Sequence, residues 1–379
     1  MNNKTLKKIL QYSLYKEANA ISIKTKGREQ IISFSLPQFI EETMELNLKS
    51  DLIALLKEEI GLPQSQTNIN NKYHKFNVGG KGLPTVVSLL EEEGQKNLQL
   101  QIIPREKRLF TIRQLAWQKE QLRLIKLLSR KRAGLVIVSG PDNSGKTSTI
   151  YSLLKTFDSS KLNISSLEYI IEEDIPGVNQ ICIDDRIGLD FKKLLSALLK
   201  QDSEIIMLEE IKNKTDAKNC LTAAATGRLV FSSLKSQGAI DTLFRLENMG
   251  LSKKEIAENV IMIINQRLLR KTCPYCIKKH KLDPKTIDKF KTYTNIKIQE
   301  LYTGRGCSRC QNTGYQGQIA IHEILVLTEK IKNLVQRESS LNTIQKAAIK
   351  EGFITLEQDA LLKVKSGITT IDEIIAQKL

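Results

Sequence analysis

Residues 140–147 read Gly140-Pro141-Asp142-Asn143-Ser144-Gly145-Lys146-Thr147, a complete G-x-x-x-x-G-K-[ST] loop, and no other feature restricts the fold as tightly. Such a loop works only between a buried strand and a helix. Its glycines let the chain curl until the N–H groups of 142–147 point inward, and the helix start adds positive potential. The flanks match. Leu135-Val-Ile-Val138 precedes the loop as a buried strand, and Lys146–Phe157, with Ser148 in its first turn, reads as the helix. Residues 140–148 therefore form a candidate ATP site. Lys146 supplies charge to the β- and γ-phosphates, and the Thr147 hydroxyl is the expected Mg²⁺ ligand.

The pattern around the loop extends it into a domain. Buried-strand candidates are Leu135–Val138, Glu168–Ile171, Ile205–Leu208 and Leu229–Ser232. Helical patterns lie at Phe191–Leu199, Lys214–Ala225 and Ile240–Met249. Alternation of this kind predicts an α/β fold with a parallel sheet covered on both faces. The segment Ile205-Ile-Met-Leu-Glu209-Glu210 is an apolar strand ending in carboxylates, which places them at the C-terminal sheet edge beside the loop. A Glu there can orient and polarise an attacking water.

The remaining chain divides by composition. Residues 1–104 read as a small α+β unit: helix Leu6–Tyr15, strands Ala20–Lys24 and Gln30–Leu36, helix Ile40–Ile60, and a polar, Asn- and Gly-rich loop from Leu62 to Gly82. A basic stretch, 105–132, carries helix Arg113–Ser129 with Trp117 as core. It leads into the nucleotide domain at 133–272, a Cys-bearing module at 273–318 and a helical C-terminal region at 319–379. Net charge is +16, concentrated in 105–132 and 267–299. Localised positive charge suggests an acidic partner (nucleic acid, anionic lipid headgroups or nucleotide phosphates), with solvated helix faces as the alternative reading. No apolar run is long enough to span a bilayer, and Lys16 and Glu17 interrupt any secretory signal, so a cytosolic location is expected.

Cysteine spacing supplies the second strong motif. Cys273-Pro-Tyr-Cys276 and Cys307-Ser-Arg-Cys310 can present four thiolates in a tetrahedron, and a closed S₄ set implies structural rather than catalytic zinc. Cys182 and Cys220 are expected to pack as small hydrophobes. His74, His280 and His322 stand isolated.

From about Ala18 onward the chain resembles the secretion ATPase superfamily that drives type II secretion, type IV pilus assembly and DNA-uptake pseudopili. Glu168-Tyr-Ile-Ile-Glu172 resembles its E-D-P-x-E aspartate box, and Glu209-Glu210-Ile211-Lys212 its G-E-I-R. Ala225-Thr-Gly-Arg228 through Leu234-Lys235 resembles the histidine box. Arg245–Gly250, Gln266-Arg267-Leu268, Gly314–Gly317, His322-Glu323 and Ala18–Ile23 also fit. The chain departs from the family at Tyr169 for Asp, Glu209 for Gly and Lys212 for Arg. Arg228 and Lys235 replace the two histidines.

The resemblance implies a RecA-like P-loop domain behind a truncated second N-terminal domain, with a Cys₄ zinc module of the assembly or secretion type. It implies ATP, Mg²⁺ and structural Zn²⁺ as cofactors, and Glu210, Glu168 and Glu172 as catalytic carboxylates. Arg228 and Lys235 are expected near the nucleotide as compensating charges, and Arg113 and Arg267 are candidates for reaching a neighbouring subunit's nucleotide. The implied function is a cytoplasmic motor, expected to be slowed by its altered boxes. It would form a homo-oligomer, expected to be a hexamer, peripheral at the inner face of the cytoplasmic membrane and acting on an inner-membrane platform protein. By the resemblance, this sequence is expected to lack the family's first N-terminal domain, like the shorter competence-type forms. Two rival readings are a regulatory paralogue that binds ATP but hydrolyses it poorly, and a nucleic-acid-dependent ATPase. Aromatic residues are only 5% and few interleave with the basic runs, so nucleic acid is not expected as the primary partner.

Overall fold

A computed structural model describes residues 4–16, 18, 20–26, 29–36, 40–47, 51–78, 81–92, 95–102, 109–183, 190–281 and 300–377. The chain divides into two compact units, Met1–Arg108 and Leu109–Leu379.

The first unit is an antiparallel sheet with helices on one face. Its elements are helix α1 (Lys4–Tyr15), strands β1 (Ala20–Lys26), β2 (Glu29–Leu36) and β3 (Ile40–Asn47), helix α2 (Leu52–Glu59), and strands β4 (Ile69–Val78), β5 (Lys81–Glu92) and β6 (Gln95–Ile102). The strands lie in the order β3-β2-β1-β6-β5-β4. Period-2 alternation buries Ile21 and Ile23, Ile32 and Phe34, and Leu98 and Leu100 on one face, where Leu6, Leu10, Leu52 and Leu56 cover them. Two expectations fail here. Residues 40–47 form an edge strand instead of the first half of a helix, because pairing with β2 outweighs a helix-compatible spacing of apolar residues. The expected loop at 62–82 contains all of β4 and the start of β5, with Phe76 and Val78 buried against the same core.

The second unit holds a seven-stranded sheet. Its strands are β7 (Gly134–Ser139), β8 (Ile164–Glu168), β9 (Asn179–Cys182), β10 (Ile205–Ile211), β11 (Leu229–Leu234), β12 (Val260–Thr272) and β15 (Tyr315–Val326), in the order β15-β12-β7-β11-β10-β8-β9. Strands β12 to β9 in that order run parallel, while β15 closes the edge antiparallel to β12; β13 (Ile277–Lys281) and β14 (Glu300–Gly304) form a separate antiparallel pair. Both faces are covered. Leu135 and Ile137 enter one core and Val136 and Val138 the other, as do Ile206 and Leu208 against Ile205 and Met207. The helices of this unit are α3 (Lys119–Leu128), α4 (Lys146–Leu154), α5 (Phe191–Lys200), α6 (Lys214–Ala225), α7 (Ala239–Asn248) and α8 (Lys253–Asn259). After β15 come α9 (Glu329–Gln336), α10 (Leu341–Lys350), α11 (Leu356–Lys365) and α12 (Ile371–Ala376).

Several local expectations change. The strand expected at 168–171 ends at Glu168 and runs back to Ile164, because parallel pairing with β10 sets its span. The helix expected from Arg113 to Ser129 is broken: a 3₁₀ turn, Ile112–Leu115, ends at Ala116 with φ +56°, and α3 begins at Lys119. Trp117 therefore sits between helices, with its ring stacked on His322 at a centroid distance of 3.7 Å. The region from 319 opens with most of β15 and becomes helical only at Glu329. Cys220 is buried as expected, whereas Cys182 is exposed at the end of edge strand β9. Among the described residues, no helix is long and apolar enough to cross a membrane.

Candidate functional site

Strand β7 delivers the chain to the sheet's C-terminal edge with all six residues buried, so the loop after it is held firmly. Gly140 and Gly145 have φ of +150° and +83°, and Asn143 is left-handed at +58°. That curl needs glycine, because a Cβ on Gly140 would lie 2.4 Å from the Gln266 carbonyl oxygen. The Ser144 hydroxyl donates to Pro141 O at 2.8 Å. Lys146 donates to Gly140 O at 3.2 Å and Pro141 O at 2.9 Å, so its ammonium lies folded over the loop. Burial lowers the Lys146 pKa, and the nearby Glu210 carboxylate opposes that shift. Thr147 and Ser148 are half-buried in the first turn of α4, where a magnesium ligand is required.

Glu210 at the end of β10 and Lys235 just past β11 reach the same edge. Lys235 pairs with Asp142 of the loop, although both are more than half exposed. Glu209 faces elsewhere: its carboxylate accepts the Tyr169 N–H at 2.6 Å. Burial pushes Glu209 up to about 7, with the Tyr169 N–H and Lys212 opposing the shift and Glu168 and Glu210 adding to it. Two of the residues that depart from the family pattern, Tyr169 and Glu209, thus hold each other, and near neutral pH Glu209 is only partly charged.

The aspartate-box carboxylates are less exposed to a ligand. Glu168 is 1% exposed. It accepts hydrogen bonds from the Tyr151 hydroxyl, from Ser166 Oγ at 2.5 Å and from Gln180 Nε2 at 3.3 Å. Tyr151 lies on α4, so this bond ties the helix after the loop to β8, and Tyr151 also accepts the Glu172 N–H at 3.3 Å. Glu172 itself is half-buried between β8 and β9.

The expected histidine-box pair is split. Arg228 precedes β11, at the opposite sheet edge from Lys235. It donates to Leu199 O at 2.6 Å, closing the end of α5, and to Thr226 O and Oγ1. Its expected place beside this chain's own loop is therefore overturned, because six strand residues separate the two positions. Arg113 is exposed on the 3₁₀ turn, and Arg267 is held by Gln237 O and Oε1 at 3.2 and 2.6 Å.

One neighbour of the loop was not expected from the sequence. Gln266 on β12 is 1% exposed, donates from Nε2 to Ser144 O at 2.6 Å and accepts from Thr149 Oγ1 at 2.7 Å. Its signal in the sequence is a polar pair, Asn265-Gln266, ending the apolar run Val260–Ile264.

The four module cysteines converge. Their sulfurs lie within 4.8 Å of one another, with Cys273–Cys307, Cys276–Cys310 and Cys307–Cys310 separations of 3.9, 3.8 and 3.7 Å. A tetrahedron with bonds of about 2.3 Å has edges of about 3.8 Å, so the set matches the size of a zinc–thiolate shell. The Cys307 N–H points at Cys310 Sγ at 3.2 Å, as expected around thiolate ligands. His280, exposed and bonded to Thr303 Oγ1 at 2.7 Å, is outside the cluster. His322 is fully buried on β15, and burial holds its pKa well below the usual range.

A strand–loop–helix phosphate cradle at the C-terminal edge of a largely parallel sheet defines a P-loop nucleotide-binding protein. The family model "Type II/IV secretion system protein" matches residues 2–376, and the chain belongs to that family. It is 37% identical over 250 residues to the type IV pilus assembly ATPase PilB of Thermus thermophilus, covering 66% of this chain and 28% of that protein. With the PilB of Pseudomonas aeruginosa it shares 35% over 267 residues, 69% of this chain and 46% of that one. The chain thus spans less than half the length of these two relatives. Type II secretion system protein E of Dickeya dadantii is 27% identical over 97% of this chain and 74% of its own. The fold matches the Legionella pneumophila ATPase DotB, with TM-score 0.64 and 18% identity over 98% of this chain and 95% of that one. It also matches the pilus retraction motor PilT, with TM-score 0.62 and 19% identity over 98% of each chain.

Proposed function

We propose that the chain is a motor ATPase that powers type IV pilus or pseudopilus assembly or type II secretion. The observation that carries this reading is a complete phosphate loop with Glu210 at the same sheet edge, in a chain whose family match spans 2–376. In this reading ATP takes the loop N–H groups, and Lys146 exchanges two backbone carbonyls for phosphate oxygens. Thr147 would hold Mg²⁺, which neutralises charge on the phosphates when bound. Glu210 orients and polarises the attacking water. Glu168, saturated with donors, positions α4 through Tyr151, and Glu172 lies on the same network. Hydrolysis is slow, because Tyr169 replaces the box Asp and Arg228 serves the far edge of the sheet.

The Cys273, Cys276, Cys307 and Cys310 set would hold one zinc, closed to substrate and structural in role. A homo-hexamer acting on an inner-membrane platform protein from the cytoplasmic side completes the proposal, with Arg113 and Arg267 as candidates for contact across subunits. Single-turnover hydrolysis of MgATP tests it. Wild type should exceed the buffer rate, and Glu210→Gln should fall about a hundredfold. A wild-type rate equal to buffer would end the motor reading.

A further inference from the structure

Two flanks of the phosphate loop meet on one buried side chain. Gln266 Nε2 donates to the carbonyl of Ser144 inside the loop, while Gln266 Oε1 accepts from Thr149 on the first turns of α4. The orientation of the amide is fixed at Ser144: turned over, its oxygen would face the Ser144 carbonyl oxygen, which has no proton to donate. The backbone of the same residue sets the entry to the loop, since its carbonyl oxygen occupies the space a Cβ on Gly140 would need. A Cβ on Gly145 would meet Gln266 Nε2 at 3.1 Å. Entry, middle and exit of the loop are thus all gauged against one position on β12.

That position is itself well anchored. The preceding Asn265 donates to Ser139 Oγ at 2.9 Å, at the last residue of β7. Gln266 pairs with His322 of β15, whose carbonyl accepts from Gln121 of α3 at 2.6 Å. A buried primary amide is costly unless its donor and acceptor are used, and here one is spent on the loop and the other on α4.

We propose that Gln266 is a positioning residue for nucleotide binding, holding the Ser144 carbonyl and the start of α4 in the relative placement that aims the loop N–H groups at phosphate. The proposal rests on the reading of 140–147 as the nucleotide site. Gln266 touches no substrate atom; it acts through Ser144 and Thr149.

The test is calorimetric titration of the full chain with MgATP, alongside thermal melting, for Gln266→Met, Gln266→Glu, Thr149→Val and Lys146→Ala. Gln266→Met fills the same space without hydrogen bonds and should weaken MgATP binding about tenfold, the value of two lost hydrogen bonds. Gln266→Glu keeps the acceptor for Thr149 but turns an oxygen toward the Ser144 carbonyl, so it should bind at least as weakly. Thr149→Val should cost about threefold, and combined with Gln266→Met it should add almost nothing, because the two share one contact. If Gln266→Met fails to fold, Gln266→Leu and its double variant with Thr149→Val carry the same comparison, because Leu also removes the shared contact. A lowered melting point with wild-type affinity in the folded protein would make Gln266 merely structural and overturn the proposal. Additive Gln266 and Thr149 effects would also overturn it. Wild-type affinity in Lys146→Ala would instead overturn the nucleotide site.

Discussion

The phosphate loop and the cysteine cluster are both built on turns, but they treat their strongest polar groups in opposite ways. At the loop, Lys146 bonds to Gly140 O and Pro141 O, and Lys235 pairs with Asp142. These partners are weak enough to be exchanged for a phosphate and restored afterwards. At the cluster, four sulfurs meet chiefly one another. A thiolate tetrahedron would repel itself without a cation at its centre, so the zinc proposed there would be part of the fold. On the proposed reading, one region is built for turnover and the other for permanence.

The largest effect should come from breaking the permanent region. Cys276→Ser should remove a zinc present at about one per chain, and the loss of binding energy on the order of 10 kcal/mol should loosen the C-terminal part of the chain. Elemental analysis with a chelator-dependent melt checks both halves; a zinc-free wild type would erase the contrast. Next, Lys146→Ala should weaken MgATP binding by about ten- to hundredfold with little change in melting temperature, because Ala suits the helix start while a charge-assisted contact is lost.

A smaller effect concerns pH. Glu209 rises from 4.5 to about 7 in the folded chain, mainly through burial. Its folded pKa exceeds the unfolded one, so its stabilising contribution is complete below about pH 4.5 and disappears as pH climbs through 7. Tyr169, Lys212, Glu168 and Glu210 face it and should modulate the midpoint. Denaturant midpoints measured from pH 5 to 8 should decline, and Glu209→Gln should flatten that decline. The smallest effects separate the two cations of β11. Lys235→Ala, breaking an exposed pair, should change stability by less than about 1 kcal/mol and act on nucleotide affinity. Arg228→Ala should instead lower the melting point through the lost closure of α5 and leave affinity unchanged. The reverse assignment would show that distance along the strand does not separate their roles.

Where sequence reasoning failed, the cause was pairing. Residues 40–47 carry apolar side chains at a spacing a helix could use, and only the neighbouring β2 makes them a strand. Gly79-Gly80 between two alternating runs is a hairpin signal, and Val78 pairs with Lys81. The polar composition of 62–82 nonetheless suggested a loop. The apolar run before Asn265 could be strand or helix by pattern alone. Glu209 reads in the sequence as an added charge beside the phosphates, but the Tyr169 N–H and burial decide its direction and its protonation.

The loop at 140–147 and the two C-x-x-C turns were determined by sequence alone, because each geometry is enforced within a few residues by glycine, by turn closure and by the helix that follows. Helix Lys214–Ala225 and the strand cores at 135–138, 205–208 and 229–232 were likewise local, set by periodicity. Only the tertiary structure decided that Gln266, some 120 positions away in sequence, holds the loop from a strand, and that Arg228 and Lys235 serve opposite edges. Those placements arise from strand order and register, which depend on the joint burial of distant segments; the polar pair Asn265-Gln266 marks a position in the sequence but not its partner.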